Sequence, residues 1–177
     1  MLAPDLPGHG RSAGPPAASI ETLADWVASL CDAAHVQHAS VVGHSMGSLV
    51  TLEFAARHPS RVDKLALLGT AAPMPVAAPL LESARANEHA AIDMVNVWSH
   101  GGRAQIGGNT APGMWMLGMN MRLMERQQPD VLYSDFAACN AYTQGVAAAE
   151  KISCPVLIIT GTRDRMTPPA AAQNLIR

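Results

Sequence analysis

A five-residue motif centred on a serine, Gly43-His44-Ser45-Met46-Gly47, constrains the fold of this chain more than any other feature. It follows the β-branched run Ser40-Val41-Val42 and precedes an apolar stretch over residues 46–57, which predict a strand and a helix. A G-x-S-x-G motif between a strand and a helix places its serine on a sharp turn, where the flanking glycines allow close packing. Ser45 is then a candidate nucleophile, and the backbone N–H of Met46 a candidate oxyanion donor. The other interpretation is a tight glycine turn whose serine caps the helix.

Hydrophobic periodicity predicts the elements around this motif. Apolar residues recur at helical spacing from the candidate N-cap Ser19 to Ala34, and β-branched runs predict strands over 62–68 and 155–161. The last run is the most continuous and is typical of a central parallel strand covered on both faces. Between 71 and 152 we expect helices at about 80–98, 114–127 and 131–142, and no strand. The chain is therefore predicted to be an α/β protein with a mostly helical insertion.

In these elements the sequence resembles the α/β-hydrolase superfamily, specifically serine hydrolases with a helical cap. Asp5-Leu6-Pro7-Gly8-His9-Gly10-Arg11-Ser12 resembles the loop after the fourth strand of that family, and residues 41–47 resemble its fifth strand and nucleophile elbow. Residues 155–168 resemble the seventh strand and the loop of the triad acid. The resemblance implies a partial α/β-hydrolase fold, with a mostly parallel sheet flanked by helices. It places the core at residues 1–70 and 150–177 and the helical cap or lid at 71–149.

The same resemblance implies the catalytic roles. Ser45 would be the nucleophile, Met46 would supply an oxyanion N–H, and Asp164 would be the triad acid that orients a histidine. In the family the histidine follows the acid, whereas every histidine of this sequence precedes Asp164, the last being His100. A His-Gly loop for the second oxyanion donor is also missing upstream. We therefore expect a chain truncated at both ends.

The function that the resemblance implies is hydrolysis of an ester-like carbonyl substrate through an acyl-enzyme. A serine at position 45, rather than a carboxylate, argues against haloalkane dehalogenase and epoxide hydrolase chemistry. Thioester hydrolysis, carbon–carbon hydrolysis and acyl transfer by the same serine stay open. The alternative is a non-catalytic α/β-hydrolase fragment or binding scaffold, in which exposed sheet edges promote self-association.

Composition excludes other classes of function. Twelve basic and fourteen acidic residues give a net charge of −2, which is unsuited to binding nucleic acid or an anionic membrane, and no uninterrupted apolar segment could span a bilayer. Three scattered cysteines, Cys31, Cys139 and Cys154, indicate no disulfide framework, so a reducing, cytoplasmic location is expected. Cys31, His35 and His38 do not complete a metal site. We expect no cofactor and no metal, and a small-molecule substrate with an apolar group as the partner.

Two further features have a structural and a functional interpretation. A methionine-rich stretch either packs a cap against its core or forms an adaptable apolar wall for substrate, and packing is favoured; it comprises Met114, Trp115, Met116, Met119, Met121 and Met124. The histidines near the motifs are interpreted as structural. His44 is expected to pack beneath the turn of Ser45, and His9 to hydrogen-bond within its own glycine turn.

Overall fold

The computed structural model describes residues 1–108 and 111–176. In chain order its elements are α1 (Ile20–Ala33), β1 (Ala39–His44), α2 (Met46–Arg57), β2 (Val62–Leu68), α3 (Ala78–Arg85), α4 (His89–Ser99), α5 (Gly102–Gln105), α6 (Met116–Met124), α7 (Val131–Ala141), α8 (Gly145–Ala149) and β3 (Val156–Ile159). Two 3-10 helices cover Pro59–Arg61 and Pro169–Leu175. Within the described ranges, no helix has the length and apolar character needed to cross a membrane.

The chain divides into two compact units. One, here called the sheet unit, consists of Ala17–Pro75 and Ala138–Arg177, and the other, the helical unit, consists of Met1–Pro16 and Val76–Ala137. The sequence predicted a core at 1–70 and 150–177 and a cap at 71–149. That assignment of core and cap stays a prediction. Residues 109, 110 and 177 fall in those predicted ranges but lie outside the described residues.

The sheet unit contains a parallel three-stranded sheet in the order β1-β2-β3. Leu68 of β2 pairs with His44 of β1 on one side and with Ile159 of β3 on the other, so the carboxyl ends of the strands lie side by side. The prediction that β3 is a central strand covered on both faces is wrong. Leu157 is 57% exposed, because no further strand among the described residues pairs with β3 or covers it. The central strand is β2, which buries Leu65 and Leu67.

Helices α1 and α2 pack with β2 around the core of the sheet unit. The hydroxyl of Ser19 accepts a hydrogen bond from the N–H of Thr22 (3.1 Å), which caps α1 as its sequence predicts. Phe54 of α2 is fully buried, and burying such a side chain contributes about 1.5–3 kcal/mol. The core cluster comprises Ala24, Ala28, Leu52, Phe54, Ala55, Val62, Leu65, Leu67 and Ala148. The predictions of α1, α2 and β2 are confirmed.

The helical unit has a small core of its own. Leu80 and Ala84 of α3 and Ala91 of α4 are buried, and partly buried side chains from α4 and α7 pack around them. The helical stretch predicted at 80–98 is two helices, because Asn87 between them has a φ of 54°. Asparagine tolerates this left-handed conformation better than most residues, and here it ends α3 and redirects the chain into α4.

Candidate active site

Ser45 lies on the turn between β1 and α2, with φ 51° and ψ −123°. Its N–H donates to the carbonyl oxygen of Leu68 at the end of β2 (2.9 Å), so the turn is fixed to the neighbouring strand. Among the described residues the side chain of Ser45 makes no capping hydrogen bond to α2. The interpretation of this serine as a helix cap is therefore wrong. A side chain held at positive φ costs about 1–3 kcal/mol, and such strain is concentrated at functional sites.

The two glycines of the motif have different roles. A Cβ on Gly43 would collide with the backbone of Gly47 and the hydroxyl of Thr51, because α2 passes directly over the end of β1. The requirement for a small residue at position 43 is confirmed. A Cβ on Gly47 would meet no atom of the described residues within 4 Å, so packing in this structure does not explain that glycine.

Two buried hydroxyl groups support the turn from below. The hydroxyl of Ser48 donates to the carbonyl oxygen of Ser45 (2.6 Å) and shares a second hydrogen bond with the hydroxyl of Thr70 (2.8 Å). Ser48 and Thr70 are both fully buried, so no water competes for these bonds. The two hydrogen bonds connect the turn of Ser45, through Ser48, to Thr70. The sequence contains no local signal for this pair, because its members are 22 residues apart.

Met46 is the first residue of α2 and is half-buried. The first N–H groups of a helix have no partner within the helix, and they lie at its positive end. Met46 directly follows Ser45 at this positive end, and its role as an oxyanion donor stays a prediction.

Asp164 is held rigidly in the loop after β3. One carboxylate oxygen accepts hydrogen bonds from the N–H groups of Met166 and Thr167, both at 2.9 Å. The other accepts from the hydroxyl of Thr167 at 3.0 Å, and Thr167 is itself only 4% exposed. Thr167 thus fixes both oxygens of the carboxylate. A threonine three residues after an aspartate was the sequence signal for this arrangement, and the sequence analysis missed it.

The loop of Asp164 and the turn of Ser45 converge at Gly69, the residue that follows β2. The N–H of Gly69 donates to the carbonyl oxygen of Ile159 at the end of β3 (2.9 Å). A Cβ built on Gly69 would lie 3.2 Å from Thr167 Oγ1 and 3.4 Å from His44 Nε2. The residues that orient Asp164 and those that precede Ser45 therefore meet at one edge of the sheet.

The histidines differ from their sequence-based interpretation. His44 is exposed, so the expectation that it packs beneath the turn is wrong; its ring lies beside Gly69, at the carboxyl edge of the sheet. His9 does hydrogen-bond within its glycine turn, where Nδ1 donates to the carbonyl oxygen of Pro7 (3.1 Å). It also bonds Asp135 of α7, which the sequence did not predict. Over residues 1–108 and 111–176, no group of three or more His, Cys, Asp or Glu side chains is placed to hold a metal ion.

The methionine-rich stretch forms α6 and its approach in the helical unit. Met116, Met121 and Met124 are half-buried, whereas Trp115 is 64% and Met119 51% exposed. These two exposed side chains line an open groove of about 810 Å³, together with Pro112, Gly113, Met114, Gly118, Arg122, Leu123 and Arg126. The stretch thus combines packing on one side with an apolar surface on the other.

The sheet is parallel, Ser45 lies on a strained turn between β1 and α2, and Asp164 lies in the loop after β3. This combination is typical of the α/β-hydrolase fold. The family model of the alpha/beta hydrolase fold matches residues 1–114, and the chain belongs to that family.

Named relatives support the same family. The whole chain aligns at 30% identity with 70% of a pimeloyl-[acyl-carrier protein] methyl ester esterase of Neisseria meningitidis serogroup C, and at 29% with 57% of its serogroup A counterpart. Among solved structures, the enol-lactonase from Burkholderia xenovorans LB400 superposes with a TM-score of 0.83 at 28% identity, over 97% of this chain and 65% of that one. The chain thus spans between 57% and 70% of the length of these relatives. The family relationship and the fold place the chain among the esterase-like alpha/beta hydrolases.

Proposed function

We propose that this protein is a serine hydrolase that cleaves an ester-like substrate through an acyl-enzyme on Ser45. The observation that carries the proposal is the backbone of Ser45. A serine that only caps a helix has extended dihedrals and bonds the helix, as Ser19 does with φ −153° and ψ 160°. Ser45 instead has φ 51° and leaves its hydroxyl without such a bond, which is the arrangement a nucleophile needs.

The proposed reaction uses three groups at the carboxyl edge of the sheet. Ser45 Oγ attacks the carbonyl carbon and its proton passes to a base, while the N–H of Met46 donates to the developing oxyanion. Collapse of the tetrahedral intermediate breaks the bond to the alcohol, which takes the proton from the base and leaves an acyl-serine. Water, deprotonated by the same base, then releases the carboxylic acid. Asp164 would orient the base through Oδ2, the oxygen that accepts the hydrogen bond of the Thr167 hydroxyl.

The base itself would be a histidine that follows the acid, as in the order of the family. No histidine follows Asp164 in this sequence. We therefore propose the complete cycle for a polypeptide that supplies a histidine after Asp164. For the 177 residues considered alone, we propose that Ser45 is acylated by an activated ester and that deacylation is slow.

The names of the relatives favour an ester substrate. They include a methyl ester esterase and an enol-lactonase. We therefore propose an ester or a lactone as the substrate class.

The test is to incubate the 177-residue chain with p-nitrophenyl butyrate, following nitrophenolate release and the mass of the intact protein. The expected result is one butyryl group per chain, located on Ser45 by peptide mapping, with a burst followed by slow turnover. Ser45→Ala should abolish the adduct. Ser40→Ala is the matched control, because Ser40 is an exposed serine on β1, the strand that leads to Ser45. Equal acylation of both variants would refute the assignment of Ser45.

A second candidate function is a non-catalytic scaffold that self-associates through its sheet edges. The observation that favours it is the exposed apolar surface on both outer strands, where Val42 is 66% and Leu157 57% exposed. An unpaired strand is a template for pairing with another chain. Failure of Ser45 to acylate, combined with concentration-dependent assembly, would support this function over hydrolysis.

A further inference from the structure

His9 makes two hydrogen bonds that only its charged form can make together. Its Nε2 lies 2.8 Å from a carboxylate oxygen of Asp135, and its Nδ1 lies 3.1 Å from the carbonyl oxygen of Pro7. A carbonyl oxygen and an ionised carboxylate only accept hydrogen bonds, so each ring nitrogen must carry a hydrogen. A neutral imidazole carries one. His9 is therefore an imidazolium ion while both bonds are in place.

The pair joins two segments that are far apart in sequence. His9 belongs to the loop 5–12, and Asp135 lies on α7, 126 residues later, with both in the helical unit. Each side chain is only 18% exposed, so solvent screens their attraction much less than that of a surface ion pair. Among the described residues, the other side-chain hydrogen bonds of the loop stay within it, such as the bond from the Ser12 hydroxyl to the carbonyl oxygen of Asp5 (2.7 Å).

The charges that face His9 are all negative. Asp135 approaches from α7, and Asp5 acts from within the loop, where its carboxylate also accepts the N–H of Arg11 (3.0 Å). The hydrogen bond to Asp135 raises the pKa of His9 above its usual 6.5, and burial opposes that rise without reversing it.

We infer that His9 and Asp135 form a proton-dependent latch, which fastens the loop 5–12 to α7 while His9 is charged and releases it as the pH rises.

The direction of the pH effect follows from linkage. When the loop is released, His9 titrates near its ordinary value of 6.5. Because the latched state binds the proton more tightly, its stabilisation is complete below 6.5 and is lost as the pH rises through the higher pKa of the latched form. Each unit between the two pKa values changes the equilibrium between latched and released loop about tenfold.

His89 provides a matched control within the same unit. It also lies between two acceptors, Asp93 at 3.1 Å and Glu125 at 3.0 Å, and its pKa is raised by the bond to Glu125 and then by that to Asp93. His89 is 53% exposed, however, and its partners do not involve the loop 5–12. Removing it should leave the latch unchanged.

The first experiment follows the ring signals of His9 by NMR in the whole 177-residue chain while the pH is raised. We expect His9 to titrate above 6.5 in the native chain and closer to 6.5 in Asp135→Asn, whose amide oxygen still accepts a hydrogen bond but carries no charge. A native titration at or below 6.5, or one that Asp135→Asn does not lower, would overturn the inference.

The second experiment measures release of the loop by tryptic cleavage after Arg11, relative to cleavage after Arg165 in the sheet unit. Both arginines are exposed, so the ratio of the two rates cancels the pH dependence of trypsin itself. Between about pH 6 and pH 9 the ratio should rise by about tenfold for every unit by which NMR finds the His9 pKa raised. His89→Gln should reproduce this rise.

In His9→Gln the ratio should be high and independent of pH, because glutamine does not titrate. A flat ratio in the native chain, or the same rise in His9→Gln, contradicts the latch. If Asp135→Asn fails to fold, as judged by circular dichroism, the agreement between the native pKa and the native cleavage ratio still decides the question. Neither experiment measures ester cleavage, so its outcome is independent of the proposed hydrolase function.

Discussion

The strain at Ser45 predicts that a substitution that destroys the proposed nucleophile will stabilise the fold. Ser45 has φ 51° and ψ −123°, which glycine adopts freely and other residues adopt at a cost of about 1–3 kcal/mol. Ser45→Gly removes that cost but adds about 0.4–1 kcal/mol of conformational entropy to the unfolded chain. The net expectation is a stabilisation of about 0.5–2 kcal/mol. Ser45→Ala keeps the Cβ and the strain, so its stability should stay within about 0.5 kcal/mol of the native value.

Urea unfolding followed by far-ultraviolet circular dichroism measures this difference. With a urea slope of about 2 kcal/mol/M, a stabilisation of about 1 kcal/mol moves the midpoint up by about 0.5 M. Ser29→Gly is the control, because Ser29 is exposed in the middle of α1, where glycine should destabilise by about 0.5 kcal/mol. The reasoning is refuted if Ser45→Gly lowers the midpoint as Ser29→Gly does, since the turn would then carry no strain.

Two further predictions concern the motif glycines and the sheet edges. Gly43→Ala should destabilise the chain by about 1–3 kcal/mol, because its Cβ collides with the backbone of α2. Gly47→Ala has open space around its Cβ and should stabilise the chain by about 0.5–1 kcal/mol. The same urea assay compares the two variants, and equal effects would contradict the packing argument. Light scattering after size exclusion should show that the native chain assembles as its concentration rises. The double variant Val42→Lys, Leu157→Lys should be closer to a monomer, because charge on an edge strand opposes pairing with another strand. Assembly that the two lysines leave unchanged would place the contact elsewhere.

The local sequence pattern was sufficient to predict the helix after Ser45 and the strand that its N–H bonds. The bounds of α2 and β2 agree with prediction because apolar spacing and the stops at Pro59 and Gly69 are encoded within a few residues. The same holds for the small residue at position 43. The family resemblance supplied Asp164, and its role as the triad acid stays a prediction.

The remaining features depend on partners that are distant in sequence. The exposure of β3 depends on which strands lie beside it, and an apolar run alone cannot report that. The bond from His9 to Asp135 spans 126 residues, and the Ser48–Thr70 pair spans 22, so neither leaves a local pattern. His44 was misplaced for the same reason, since its surroundings are set by the end of β2 rather than by its own neighbours in the chain.

The way the chain leaves and re-enters the sheet unit bears on how such a protein diversifies. The N–H of Ala72 donates to the carbonyl oxygen of Ala171 (3.4 Å), and the amide of Asn174 donates back to the carbonyl oxygen of Ala72 (3.1 Å). The exit point is thus tied to residues that follow Asp164, whatever lies between Val76 and Ala137. Exchange of that intervening stretch for another sequence would therefore leave the strand register and the turn that carries Ser45 as they are.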